Sequence, residues 1–241
     1  MGEEEVTLIA ECSTNHGGNL ARAQQFAETF AKAGATIVKF QLTRIRHLRF
    51  GDPQYAWFAQ CELSNAEVRD ISQTVRDNGA IPMWTVYHTD DIQELVDAGL
   101  THLKIGSGEA HRPDIAMHLQ ALPDTFEHIY VSTGIRSPHP LYGLLPNVNR
   151  LACISRYPAP HGLVPEWLTL SGYKGWSDHC VGFNECRVAV IAGATIIEKH
   201  VMMPTQARAP QPWEASASEF AAFRQWTQED PEARFVDRWT R

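Results

Sequence analysis

Two polar triplets, Ser177-Asp178-His179 and Glu198-Lys199-His200, each close a short apolar or extended run. Between them, Glu185–Ala194 carries Val188, Ala189, Ile191 and Ala192 at helical spacing. The three pieces read as a β-α-β unit, whose strands run parallel and side by side. His179 and His200 then share the carboxyl-terminal edge of one sheet, and two imidazoles there make a metal site.

The same edge is expected to gather polar residues from the whole chain. Val6–Ala10 is an apolar strand ending in Glu11 and a glycine-bearing turn, Asn15-His16-Gly17-Gly18. Leu20–Ala33 has helical spacing and stops at Gly34. Thr36–Phe40 is a second strand, and a loop over 42–63 follows it. Ser64-Asn65-Ala66-Glu67 reads as a capping box opening a helix to Asn78. Ile81–Val86 is strand three, and Thr89–Ala98 is a helix with Thr89 as its N-cap. His102–Ile105, His128–Val131 and Leu151–Ile154 are strands four to six. Pro113–Leu122 is helical, and the proline-rich link before strand six leaves room only for a stunted helix. Val164–Ser171 and Ser216–Gln228 are the remaining helices. Eight strand-then-helix units in 241 residues predict a single (β/α)8 TIM barrel over 1–241, with a loosely packed tail at 229–241. An open doubly wound sheet fits less well, because no G-x-G-x-x-G or Walker-type loop follows the first strand.

Composition narrows the function. The chain is 44% hydrophobic and 20% charged, which suits a full globular core. A net charge of −7 without any basic block gives no support for nucleic acid. The five cysteines lack C-x-x-C spacing, so neither a disulfide framework nor a zinc knuckle follows. No apolar run is long enough for a bilayer and no signal peptide is visible, so a cytoplasmic protein is expected.

The strand ends are rich in chemistry: Glu11, then Lys39 with Gln41, Thr85, Lys104 with Ser107 and Glu109, Ser132, Ser155 with Tyr157, and Ser177. In a barrel these converge on the mouth that carries catalysis. The lysines, hydroxyls and glycine-exposed amides make a phosphate or carboxylate cradle.

Taken together, these residues resemble the barrel domain of the N-acetylneuraminate (sialic acid) synthase family. The matching pieces are Ile9-Ala10-Glu11, Asn15-His16-Gly17-Gly18, Val38-Lys39-Phe40-Gln41, Thr85, Leu103 to Glu109, Val131-Ser132-Thr133-Gly134, Tyr157-Pro158-Ala159-Pro160 and the two triplets. The resemblance implies an enzyme that condenses phosphoenolpyruvate with an aldose or other aldehyde, giving a 2-keto-3-deoxy acid and phosphate. It implies that His179 and His200 hold one divalent ion, manganese or magnesium, with cobalt or zinc as alternatives. Lys39, Thr85, Lys104, Ser107, Ser132 and Ser177 match donor-binding positions. Glu11, Gln41, Glu109 and Tyr157 match positions facing the acceptor, with Glu109 able to orient or deprotonate the attacking water. A homodimer is a further expectation.

The chain departs from the family after its last histidine. The family's acceptor-binding aspartate is missing, and Gln211 or Glu214 stands in its neighbourhood beside Trp213. Arg156 precedes Tyr157 where the family is uncharged, and the chain ends at Arg241 without the C-terminal antifreeze-like domain. The donor half therefore reads as intact and the acceptor half as altered, so an acceptor other than N-acetylmannosamine is expected. The alternatives are a metal-dependent lyase or hydrolase on the same barrel and a non-catalytic partner barrel.

Overall fold

Pentapeptides such as Thr7–Glu11 and Ile37–Gln41 alternate their side chains between two faces, and here both faces are buried. In this computed structural model, residues 5–134, 137–164 and 172–229 are described. Eight such strands close a parallel barrel in chain order, β1 Thr7–Glu11 pairing with both β2 Ile37–Gln41 and β8 Ile196–His200. Between them run β3 Ile81–Val86, β4 His102–Ile105, β5 His128–Ser132, β6 Val148–Cys153 and β7 Gly175–Asp178. The helices α1 Leu20–Lys32, α2 Tyr55–Gln60, α3 Asn65–Asp77, α4 Asp90–Asp97, α5 Pro113–Gln120, α6 Asn184–Ile191 and α7 Ala217–Thr227 interrupt them. The fold is the expected (β/α)8 barrel. No helix among the described residues is long and apolar enough to cross a membrane.

Local chemistry explains the helix ends. Ser64 and Glu67 form the expected capping box on α3, and Ser216 with Glu219 form a second one on α7. Thr89 does not cap α4 through its side chain: it is itself helical, at φ −59° and ψ −37°, and its hydroxyl makes no capping bond. The 42–63 segment is not all loop. Its apolar and aromatic residues form a 3-10 turn at Ile45–His47 and the short α2. Strand six starts three residues earlier than its apolar run suggests, because barrel pairing to β5 extends it through Asn149 and Arg150. The helix before it is a 3-10 turn, Pro140–Leu144, as its prolines foretold. The expected helix at 164–171, Val164 apart, and the tail beyond Glu229 lie outside the described residues.

Two cores hold the barrel. Outward residues such as Val38, Phe40, Trp84, Leu103 and Ile197 pack against the helices. Inside, Ile9, Ile37, Met83, Tyr130, Leu151 and Ile196 form a separate apolar plug. Two buried indoles have their donors matched: Trp84 Nε1 donates to Ser72 Oγ at 3.0 Å, and Trp176 Nε1 to Asp178 Oδ1 at 2.9 Å. Gly175 sits where a Cβ would lie 2.0 Å from the Ile196 carbonyl oxygen. Gly175→Ala should therefore lower stability by about 3 kcal/mol, because backbone cannot yield as a side chain can. Chemical denaturation checks this; an unchanged midpoint would refute it.

Candidate functional site

Period-two alternation splits each polar triplet. Asp178 and Lys199 face outward and pair with each other at 2.5 Å, Lys199 also donating to the Cys180 carbonyl at 2.6 Å. Ser177, His179, Glu198 and His200 face inward, above the apolar plug. They line a cavity of about 270 Å³ at the carboxyl-terminal mouth. Glu11, Lys39, Gln41, Thr85, Lys104, Ser107, Ser132, Ser155 and Tyr157 line it too. The barrel thus brings together the strand-end residues named from the sequence, Glu109 excepted.

Lys39 and Lys104 meet at the cavity's base, but not as free cations. Glu198, a strand-end residue to which the sequence assigned no role, lies between them. Its Oε1 is 3.1 Å from Lys39 Nζ, and its two oxygens are 3.0 and 2.8 Å from Lys104 Nζ. Ser177 Oγ donates to the same carboxylate at 3.1 Å. Glu11 makes a second ion pair with Lys39 and accepts the Ser13 amide at 2.6 Å. Two ammoniums and two carboxylates leave the base with no net formal charge. Burial, the largest influence, lowers Lys39 to about 7, with Glu198 opposing and Lys104 assisting. Glu198 is held well below the carboxylate range: burial raises it, but the two lysines outweigh that.

Above this base stand groups with unused hydrogen-bonding capacity. Thr85 Oγ1 and Ser132 Oγ are buried without a partner. Ser107 Oγ accepts the Gly134 amide at 2.9 Å and lies 3.1 Å from Cys153 Sγ, an unforeseen lining residue. Any Cβ at Gly134 would come within 2.3 Å of Ser155 Oγ, so glycine keeps this wall close. Glu109 is not among the lining residues. Its carboxylate sits over Gly106, 2.8 Å from where a Cβ would be, and burial raises its pKa.

The two histidines lie with ring centroids 5.3 Å apart. His179 Nδ1 donates to the Ile154 carbonyl at 2.7 Å, which turns an unprotonated Nε2 toward the cavity, 3.1 Å from the Tyr157 hydroxyl. Burial lowers both pKa values, that of His200 far below the ordinary range, and His200 Nδ1 is buried without a partner. Neutral, oriented imidazoles with an orphaned nitrogen fit a bound divalent ion. Among the described residues no third His, Cys, Asp or Glu joins them. Solvent or substrate would complete such a shell, as a catalytic rather than structural site requires.

The acceptor-side expectations fare unevenly. Trp213 does not line the cavity but packs edge-on against Tyr157, centroids 5.5 Å apart. Gln211 does not line it either; its side chain donates to the Ala209 carbonyl at 2.8 Å. Glu214 is buried and braces the loop, accepting from Asn15 and Arg208 at 3.0 Å each.

The model of the NeuB family matches residues 26–229. Among relatives, N,N'-diacetyllegionaminic acid synthase of Legionella pneumophila is 29% identical, over 81% of this chain and 64% of that protein. Pseudaminic acid synthase of Campylobacter jejuni is 25% identical, over 83% of this chain and 66% of that one. The chain therefore spans just under two thirds of the length of these curated relatives. A solved N-acetylneuraminic acid (sialic acid) synthetase from Leptospira borgpetersenii, in complex with citrate, superposes with a TM-score of 0.81. It is 24% identical, and the match covers 96% of this chain and 85% of that one, a likeness of fold.

Proposed function

The chain belongs to the NeuB family, and from that premise we propose that it condenses phosphoenolpyruvate with a sugar-type aldehyde. Carbon 3 of phosphoenolpyruvate bonds to the aldehyde carbon, water adds at carbon 2, and phosphate leaves with the carbon–oxygen bond, giving a 2-keto-3-deoxy acid. The observation that carries this reading is the convergence of two buried lysines on one carboxylate beneath unpartnered hydroxyls. That arrangement suits an anion carrying both a phosphate and a carboxylate.

Lys39 and Lys104 hold the donor's charge, and Thr85 and Ser132 donate to its oxygens. Glu109, set against the lining residue Gly106 and with its pKa raised by burial, takes the proton of the attacking water. His179 and His200 would hold a divalent ion, whose Lewis acidity polarises an aldehyde oxygen when bound. Because the two lysines are balanced by Glu198 and Glu11, an ion held by the histidines would also supply the cavity's net attraction for an anion. Incubation with phosphoenolpyruvate, manganese and a panel of aldoses tests the reading: phosphate release should require both donor and aldehyde. Release from either alone would instead favour a lyase or hydrolase.

The Lys39 pKa sets a pH dependence. Lowered to about 7, the Lys39 ammonium gives up its proton close to neutral pH, while the donor favours the ammonium, so binding takes up a proton. Donor affinity should fall as pH rises above about 7, by up to tenfold per pH unit, once the donor phosphate is fully ionised. Calorimetry in buffers of different ionisation enthalpy measures the uptake; affinity that stays flat between pH 7 and 9 would refute it.

Trp213 and Tyr157 form an apolar shoulder beside the histidines. This supports an acceptor other than N-acetylmannosamine, a deoxy sugar or a shorter aldehyde. Trp213→Ala should raise the acceptor KM about tenfold, the scale of one lost aromatic contact, and leave the donor KM unchanged. Steady-state kinetics in both substrates decides it.

A further inference from the structure

The strands that carry the site also line a second cavity at the amino-terminal end of the barrel. Its volume, about 260 Å³, is close to the 270 Å³ of the opposite mouth, and the apolar plug separates the two. His102 lies two positions before Lys104, Tyr130 before Ser132, and Ile196 before Glu198, so alternation sends both members of each pair into the barrel, one to each cavity.

His102 and His128 are register partners on β4 and β5, with ring centroids 5.0 Å apart. The Tyr130 ring lies 5.9 Å from one and 6.2 Å from the other. One nitrogen of each imidazole is engaged: the Thr101 hydroxyl lies 2.9 Å from His102 Nδ1, and the Asn149 amide donates to His128 Nδ1 at 3.2 Å. His128 therefore carries its ring proton on Nε2. Among the described residues, no hydrogen bond or ion pair reaches Nε2 of either ring, the Tyr130 hydroxyl or Lys174 Nζ. Glu5 is the one acid in the lining, and Arg224 already pairs with it. Burial, with His128 adding to it, lowers His102 to about 4, and burial pushes Tyr130 up to about 12. At neutral pH, then, His102 is neutral and the tyrosine keeps its proton. The unspent polarity includes the His128 N–H, the Tyr130 O–H and the Lys174 ammonium, and such donors stabilise negative charge. A cation fits less well, since His128 Nδ1 already accepts from Asn149 and the one lining acid, Glu5, is paired with Arg224.

We propose that the amino-terminal mouth of the barrel binds a small oxyanion, a phosphate or carboxylate compound, through Lys174, His128, His102 and Tyr130. This site is independent of the catalytic face and of the reaction proposed for it.

Histidine-ring ¹H–¹⁵N spectra of the full chain test it, with titration by inorganic phosphate and, separately, by malonate at constant ionic strength. The His102 and His128 resonances should shift saturably. They should do so equally in Lys104→Ala, where anion binding at the catalytic face is impaired. Lys174→Ala should weaken the apparent affinity about tenfold, the loss of one charge-assisted bond. Lys174 is exposed, so that variant leaves the fold intact. Saturation by phosphate alone identifies a phosphoryl ligand, by malonate alone a carboxylate, and by both an oxyanion pocket of broad scope. Rings that respond to neither anion, or an affinity unchanged in Lys174→Ala, would overturn the proposal.

Discussion

Glu198→Ala should destabilise the protein by about 3–5 kcal/mol, and inorganic phosphate should restore part of the loss. The carboxylate is 3% exposed, and both Lys39 and Lys104 depend on it. Removing one member of a buried ion cluster leaves the others unpaired, which costs more than the intact cluster gains. For a chain of this size the loss corresponds to a fall in Tm of about 10 °C. The vacated space lies between two ammoniums and beneath the Thr85 and Ser132 hydroxyls. An added anion can enter it, so phosphate should raise the Tm of the variant more than that of the parent protein. Raising the pH should narrow the gap as well, because a deprotonated Lys39 no longer needs the partner. A variant as stable as its parent would show that the lysines are solvated. A destabilised variant indifferent to phosphate would show that the space cannot admit an anion.

His179→Ala and His200→Ala should each lower the condensation rate by three orders of magnitude or more, about 4 kcal/mol of transition-state stabilisation. Bound metal should vanish from both variants. The fold should survive, because neither ring carries the barrel: His179 donates to one carbonyl, and His200 has an unpartnered nitrogen. An excess of chelator should reproduce the loss in the parent protein, and manganese should reverse it. Full activity in chelator would end the metal reading. Activity lost with metal content unchanged would assign the histidines to proton transfer instead.

Much of this was legible in the chain. Apolar runs of four to six residues, ended by glycine or a cap, mark the strands and helices because both signals are local. The capping box Ser64 to Glu67 needs only four consecutive residues. The strand-end residues were legible once the barrel was inferred, since parallel strands deliver their carboxyl ends to one mouth. Thr89 and the 42–63 segment were misread for the converse reason. A threonine before a helix is equally able to join its first turn, and Tyr55–Gln60 is too short to show a period.

The charge state of the site was not legible. Glu198 and Lys39 stand 159 residues apart, and Glu198 and Lys104 94 apart. Nothing local says that a carboxylate on β8 will reach ammoniums on β2 and β4. Closing the barrel decides that, by setting which inward positions share a level. The same closure buries Asp178 against Lys199 behind the wall while Ser177 and Glu198 turn to the cavity. It also seats His102 beside His128 at the far mouth. The sequence by itself determined the repeating unit, the polar strand ends and their common edge, because backbone periodicity and capping act over a few residues. Which charges neutralise one another, and which donors are left unpaired, only the tertiary structure decided, because strand register across a closed sheet sets those distances.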